Sequence, residues 1–336
     1  MQTYIVLDLE WNQSTAGKAG SVSGLPFEII EIGAVKLDEN LNKIDEYTQI
    51  IRPVIYKKMH FHVSEVVHIG IDELRNEGEL FVDVIDDFLD WCDLPSKPIF
   101  CTWGEMDLMQ LQRNMLYHNI DPTEVFPYPF LYYDVQKLYA KLYPDTDVNS
   151  EPRPKMPPLD KATEEMGIVM EEDFHRALSD AKYTAEVMSH MHMEKVSRYL
   201  SLDYFRIPEN KEEELYLLFP DYTKYVSRAF DTKEKLFSDS TVTDVICPRC
   251  NVRLKKRIPW FSSNQKQYQS LGYCSEHGNV KAKIRTKHTD DNRIFAVKTI
   301  KLVSQQRAND LALQKNHVAE KRRERAKQRS SSKSSS

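Results

Sequence analysis

The run YIVLDLEW at residues 4–11 carries two carboxylates, Asp8 and Glu10, inside an otherwise apolar segment. Such a segment reads as a strand packed on a core, and the two-residue period of a strand projects both carboxylates from one face. An unpaired carboxylate beside a core is strongly unfavourable. A fold that contains this strand must therefore bring cationic charge to that face, and hard divalent ions with oxygen ligands are the obvious candidates. Taken alone, Asp-x-Glu fits an outward polar face as well as it fits a site.

The pattern that follows sets the architecture. Residues 28–37 (EIIEIGAVKL) and 44–51 (IDEYTQII) are rich in Ile, Val and Tyr, and the turn-like DENLN separates them, which predicts a three-strand meander with the first run. Phe81, Val84, Ile85, Phe88 and Leu89 recur at spacings of three and four, the mark of an amphipathic helix over 81–92. A strand at 98–102, a helix at 105–117, a strand near 130–134 and a helix to about 142 come next. After a Pro-rich loop around 152–158, helices are expected at 159–166 and 175–193. Strands first, then alternation with helices, imply an α/β core with a mixed sheet and flanking helices.

With 336 residues the chain is long for one domain. Charge divides it: Lys and Arg outnumber Asp and Glu 22 to 7 in residues 241–336, while 1–240 holds 24 basic against 44 acidic residues. A basic segment joined to an acidic one suggests a polyanionic partner handled by the C-terminal part, a merely solvated surface being the plainer reading. The expected division is a catalytic domain over 1–200, a helical extension or linker over 201–240, a small domain of short strands around paired cysteines over 241–300, and a basic tail over 301–336, helical or disordered. No stretch approaches the roughly 20 apolar residues of a membrane span, so no membrane partner is expected. The opening MQTYIVLDLEW has no basic n-region or cleavage site, which points away from secretion. Cys92 and Cys101 lie in apolar stretches and five cysteines are an odd number for a disulfide framework, so a reducing cytoplasm is expected.

Two further elements carry chemistry. In TWGEMDLMQL, Asp107 stands near the start of the helix after the strand that ends at Cys101 or Thr102; a lone acid there is ordinarily a complement to the helix dipole. In FHRALSDAKYTAEV, His175 precedes Asp180 by five residues, about 7.5 Å of rise if helical, so that the two flank one space. Taken in order, the three elements resemble the DEDDh exonuclease family, a branch of the RNase-H-like polynucleotidyl transferases. That family has Asp-x-Glu on its first strand, as in YIVLDLEWN, then a second strand such as EIIEIGAVKL, an Asp-bearing helix such as WGEMDLMQL, and His followed five residues later by Asp, as in HRALSDA. The Trp after Glu10 and the Trp-Gly form at 103–104 are most similar to the branch that trims histone-mRNA and small-RNA 3′ ends, together with bacterial KapD-like exonucleases. Coverage is roughly residues 1–195, and Tyr183 stands where the family often has Asn.

The resemblance implies an RNase-H-like fold in which Asp8, Glu10 and Asp180 bind metal directly, Asp107 holds a second ion through water, and His175 is the general base. The implied cofactors are two Mg²⁺ or Mn²⁺ ions, which suit an all-oxygen donor set. Leu9, Trp11 and Met106 flank the carboxylates and are implied to seat the terminal nucleotide; core packing is the alternative for each.

Farther along, CPRC at 247–250 and CSEH at 274–277 give Cys-x₂-Cys, a gap of 23 residues, then Cys-x₂-His. Cys247, Cys250, Cys274 and His277 form a Cys₃His set suited to one structural Zn²⁺, a zinc-ribbon pattern. Around it RLKKR, IPWF, KQYQ and KAKIR set basic residues among Trp260, Phe261, Tyr268 and Tyr273, a mixture that suits single-stranded nucleic acid; a protein-binding or purely stabilising knuckle competes with that reading. The sequence thus points to a metal-dependent 3′→5′ exonuclease releasing nucleoside 5′-monophosphates from single strands, RNA favoured over DNA. The rival is an inactive nucleic-acid- or protein-binding regulator acting through its zinc ribbon.

Overall fold

The computed structural model describes residues 2–143, 156–169, 174–264 and 266–333, from residue 325 as backbone alone. Most of the Pro-rich loop expected at 152–158 lies outside the described residues. The chain forms two units, 1–206 and 207–336.

The first unit opens with β1 (Tyr4–Asn12), β2 (Glu28–Leu37) and β3 (Lys43–Ile50), antiparallel neighbours as the meander required. Helices α1 (Phe61–Val66), α2 (Ile71–Glu77) and α3 (Phe81–Cys92) follow, then β4 (Ile99–Thr102), α4 (Met106–Tyr117), β5 (Leu131–Asp134), α5 (Val135–Leu142), α6 (Leu159–Met166), α7 (Ala177–His190), α8 (Met193–Val196) and β6 (Ser201–Leu202). The sheet order is β3-β2-β1-β4-β5-β6, with β1, β4 and β5 parallel and the remaining pairs antiparallel. This is the mixed sheet expected from sequence, with β1 at its centre. One face of the sheet packs on the apolar stripe of α3, where Val84, Ile85 and Phe88 are fully buried, and the other packs on α5 and α7.

The second unit departs from expectation. Residues 201–240 are neither a helical extension nor a linker: they supply β6 to the first sheet and then β7 (Leu215–Leu218), β8 (Thr223–Val226), α9 (Lys233–Ser238) and the first residue of α10 (Ser240–Thr243). With β9 (Lys256–Asn264), β10 (Gln267–Cys274), β11 (Gly278–His288) and β12 (Ile294–Leu302), β7 and β8 build one six-stranded sheet, ordered β7-β8-β12-β11-β10-β9. The sequence hid this because β7 and β8 are only four residues each and make an edge whose pairing with β12 spans some seventy residues. The tail forms α11 (Gln305–Lys333), whose Ala308 and Leu311 pack on Ile258, Phe261 and Leu271 of the sheet. Among the described residues no helix is long and apolar enough to cross a membrane.

Candidate active site

Asp8 and Glu10 face the same side of β1, opposite Gly33 and Glu31 of β2 in the register, with a bulge immediately after Glu10; bulges of this kind re-aim side chains beside active sites. Helix α7 lies across β1 and β2 on that side. It comes so close over Gly33 that a Cβ there would sit 2.1 Å from the Ala177 carbonyl carbon, so only glycine permits the approach. Asp180, in the first turn of α7, is thereby brought to Glu10. Asp107 arrives from the second position of α4, directly after β4, the parallel neighbour of β1. Its buried carboxylate accepts the Leu9 backbone N–H, which lies beyond the paired stretch of β1 and β4.

His175 is not in the helix, contrary to the helical spacing expected for it. It precedes α7 in a left-handed conformation, φ 69°, and its N–H donates to Asp180 Oδ2 at 3.3 Å. That turn, rather than helical rise, brings it back to the site: the ligating atoms of Glu10, His175 and Asp180 lie within 4.8 Å of one another.

Two residues of the site went unnoticed in the sequence. Buried Glu31 accepts from Arg176 Nη2 at 2.8 Å, Arg176 Nε at 3.1 Å and the Ala177 N–H at 3.1 Å, pinning the start of α7 and the His175 turn to β2. The signal was available, for Glu31 interrupts an apolar strand just as Asp8 does.

Electrostatically the site is under tension. Burial pushes the Glu10 carboxyl up to about 8, with Asp180, Glu31 and Asp107 adding repulsion and Arg176 opposing it. Burial likewise takes Asp107 to about 7 and Asp180 to about 6, and holds Asp8 well above the carboxylate range, reinforced there by Asp107 and Asp180. Among the described residues Asp180 Oδ1 is buried without a hydrogen-bond partner. Glu28, at the far end of β2, makes the contrast: it is buried, yet its oxygens accept from Val54, Ile55 and Tyr56 N–H groups at 2.6–2.9 Å. An unsatisfied oxygen amid mutually repelling carboxylates is what a cation would relieve, so this all-oxygen donor set fits divalent ions of the Mg²⁺ or Mn²⁺ type.

Of the three flanking residues, Leu9 is buried in the core beneath β1 and has no free face for a nucleotide, because the alternation that exposes Asp8 and Glu10 turns it inward. Trp11 is half-buried with its ring 5.9 Å from Phe27, and Met106 is 40% exposed beside Asp107. Tyr183 is buried with its ring against Phe174, 4.8 Å between centroids.

In the second unit, Cys247, Cys250, Cys274 and His277 converge, their ligating atoms within 4.8 Å of one another. One pair comes from the turn closed by Cys247 N–H to Val252 at 2.9 Å, the other from the β10–β11 hairpin with Gly278 at φ 80°. The Cys250–Cys274 sulfur separation and both Cys–His277 Nδ1 separations are 3.6 Å. Ligands about 2.0–2.3 Å from a tetrahedral centre lie roughly that far apart, whereas a disulfide needs about 2.05 Å. Hydrogen bonding from His277 draws the Cys274 thiol down to about 6. The aromatic residues near this cluster are mostly not at the surface: Phe261 is buried, Trp260 donates Nε1–H to the Thr243 carbonyl at 2.7 Å, and Tyr268 packs on Phe237. Tyr273 remains exposed.

The chain is similar to several known proteins. The probable 3′-5′ exonuclease KapD of Bacillus subtilis is 27% identical over 178 residues, which span 53% of this chain and 78% of KapD. Among solved structures, the nuclease domain of 3′hExo, a DEDDh family member bound to rAMP, has a TM-score of 0.47 at 20% identity, covering 60% of this chain and 96% of that one. Pop2p of S. pombe, in its Mg²⁺ and Mn²⁺ bound form, has a TM-score of 0.43 at 15% identity over 60% and 90% of the two chains. The exonuclease family model matches residues 5–188, more than half of the sequence, and with an RNase-H-like mixed sheet carrying the carboxylates the chain belongs to the exonuclease family, a nuclease hydrolase.

Proposed function

We propose that the chain shortens single-stranded nucleic acid from its 3′ end, releasing nucleoside 5′-monophosphates, with Asp8, Glu10, Asp107 and Asp180 as metal-holding carboxylates and His175 as general base. The observation that supports the reading is that ligating atoms of Glu10, His175 and Asp180 lie within 4.8 Å of one another beside an Asp180 oxygen that has no hydrogen-bond partner among the described residues, with Asp8 and Asp107 close enough to repel Asp180. Asp8, Glu10 and Asp180 would hold the ions directly and Asp107 through water. Bound there, two divalent ions supply an activated water and charge relief on the attacking and leaving oxygens. His175 is exposed and a ring nitrogen lies within 4.8 Å of Glu10 and Asp180 oxygens, a position from which it would take a proton from water at the site and pass it to solvent. Glu31 and Arg176 hold the turn that aims it. Met106, exposed beside Asp107, and the open side of Trp11 seat the terminal base. RNA is placed ahead of DNA on the Trp11 and Trp103–Gly104 forms. The rival reading, a regulator with a vestigial site, is disfavoured because no catalytic position is missing.

Cys247, Cys250, Cys274 and His277 are proposed to hold one structural Zn²⁺, tying the turn that precedes β9 to the one that joins β10 to β11. All five cysteines are free of disulfides, which suits a reducing, cytoplasmic setting.

The test is incubation of the protein with 3′- and 5′-labelled single-stranded RNA and DNA in Mg²⁺, in Mn²⁺ and without added metal. Release of labelled mononucleotide from the 3′ label, and a stepwise ladder from the 5′ label, are expected only with metal. Internal fragments, or mononucleotide released from the 5′ label, would contradict the assignment.

A further inference from the structure

The two faces of the second unit's sheet treat cations in opposite ways. On the side covered by α9 and α10, Lys298 is buried, and its Nζ donates to the Thr241 and Asp244 carbonyls at 2.6 and 2.9 Å. On the other side Lys281, Lys283 and Arg285 alternate along β11, and Lys301 of β12 stands directly across from Lys281. The start of α11 covers the neighbouring strands β9 and β10 and sets Arg307 close to this row. Lys281 and Lys283 are half-buried, yet among the described residues neither they nor Arg285 or Lys301 meets a carboxylate at ion-pair distance.

Burial and the surrounding cations, Arg307, Lys301 and Lys283, pull the Lys281 ammonium down to about 8; burial, Arg285 and Lys301 act on Lys283 in the same direction. Like charges directly opposite across strands destabilise a sheet. Packing therefore does not explain the row, whereas an anion laid on it would relieve it.

We propose that this face, lined by Lys281, Lys283, Arg285 and Lys301, binds the phosphodiester backbone of a single-stranded nucleic acid. The inference rests on the polynucleotide substrate proposed above and locates where its backbone is held. Cations at alternate positions of a strand repeat about every 6.8 Å, a comb that suits a linear polyanion better than a compact one. Tyr273, exposed on the same face beyond Leu271 and carrying the Arg257 guanidinium 3.5 Å from its ring centroid, offers a base a π-surface at the end of the row. Residues 207–336 hold 27 basic against 15 acidic residues, so the wider field has the same sign.

The experiment uses the full chain carrying Lys281→Gln, Lys283→Gln and Lys301→Gln together, beside a charge-matched control with Lys211→Gln, Lys235→Gln and Arg293→Gln. Affinity for a fluorescent single-stranded RNA 20-mer is measured against KCl concentration on an Asp8→Asn background, which leaves the RNA uncut without a chelator. Loss of three phosphate contacts should flatten the log–log salt slope by about 2, at roughly 0.7 per contact. With Asp8 restored, turnover of thymidine 5′-(p-nitrophenyl phosphate) should be unchanged by either triple substitution. An unaltered slope, an equal loss in the control, or competition by polyglutamate as strong as that by RNA would overturn the proposal. Absence of small-substrate turnover in the unsubstituted protein would instead sink the exonuclease reading and leave the binding result standing on its own.

Discussion

The two units each crowd like charges together, with opposite signs. In the first, Asp8, Glu10, Asp107 and Asp180 repel one another, and the guanidinium acting on them is already tied to Glu31. In the second, Lys281, Lys283 and Lys301 repel one another beside Arg307. Each unit also contains a buried charge that the chain itself hydrogen-bonds, Glu28 by three backbone N–H groups and Lys298 by two carbonyls, although burial still pulls the Lys298 ammonium down to about 8. The contrast separates structural from functional charge better than burial does. Where hydrogen bonds answer the charge it serves the fold; where like charges crowd beyond what the chain's own hydrogen bonds offset, the reading proposed above takes the relief from outside, cations for the first unit and a polyanion for the second.

The largest effect that would sharpen this contrast is at the acidic cluster. Asp8→Ala or Asp180→Ala should abolish release of a 3′-terminal nucleotide while raising the melting temperature without added metal, since each removes a repelling carboxylate. Activity at the unsubstituted level in either variant, on a 3′-labelled oligonucleotide, would break it. Next, His175→Ala should lower turnover by about 10²–10⁴-fold at neutral pH, the usual worth of a general base, with Mn²⁺ affinity nearly unchanged; a matching loss of affinity would make His175 a ligand. Glu31→Gln should cost about 10–100-fold in turnover through displacement of the His175 turn, with the pH profile keeping its shape, whereas a changed profile would place Glu31 in the chemistry itself. Cys247→Ser with Cys250→Ser should remove about one zinc per chain by elemental analysis and loosen the second unit, leaving small-substrate turnover intact.

The smallest effect is on stability against pH. Glu10, Asp107 and Asp180 have carboxyls raised to about 8, 7 and 6, so the folded state holds protons that the unfolded chain has lost. Their contribution is full below pH 4 and is lost as pH rises through 6 to 8. Without added Mg²⁺ or Mn²⁺, the first unit's melting temperature should therefore fall by several degrees between pH 5 and pH 8, about 1 kcal/mol corresponding to roughly 2–4 °C in a domain of this size. A rise over that range would contradict the raised carboxyls.

Much of the first unit was legible because its signals are local. Alternation gave β1 to β3, and the three-four spacing from Phe81 to Leu89 gave α3 with its bounds. The five proposed site residues were named from the ordered motifs. What stayed hidden was relational: the left-handed turn at His175, the pinning of that turn by Glu31 and Arg176, and the inward turn of Leu9. In the second unit the pairing of β8 with β12 and the packing of Trp260 depend on contacts distant in sequence, so 201–240 read as a helical extension or linker and the aromatics around the cysteines as a stacking surface. The cysteine spacing was legible, since two short motifs carry it, but the sheet around it was not.

The most direct test is the number of Mn²⁺ ions held by the first unit's cluster, counted by electron paramagnetic resonance of free Mn²⁺ during titration of the full chain at pH 7.5. If the carboxylates tolerate one another because cations neutralise them, the unsubstituted protein should bind two ions, and Asp180→Asn should bind one or none. Binding unchanged by that substitution, or absent from the unsubstituted protein, would contradict it.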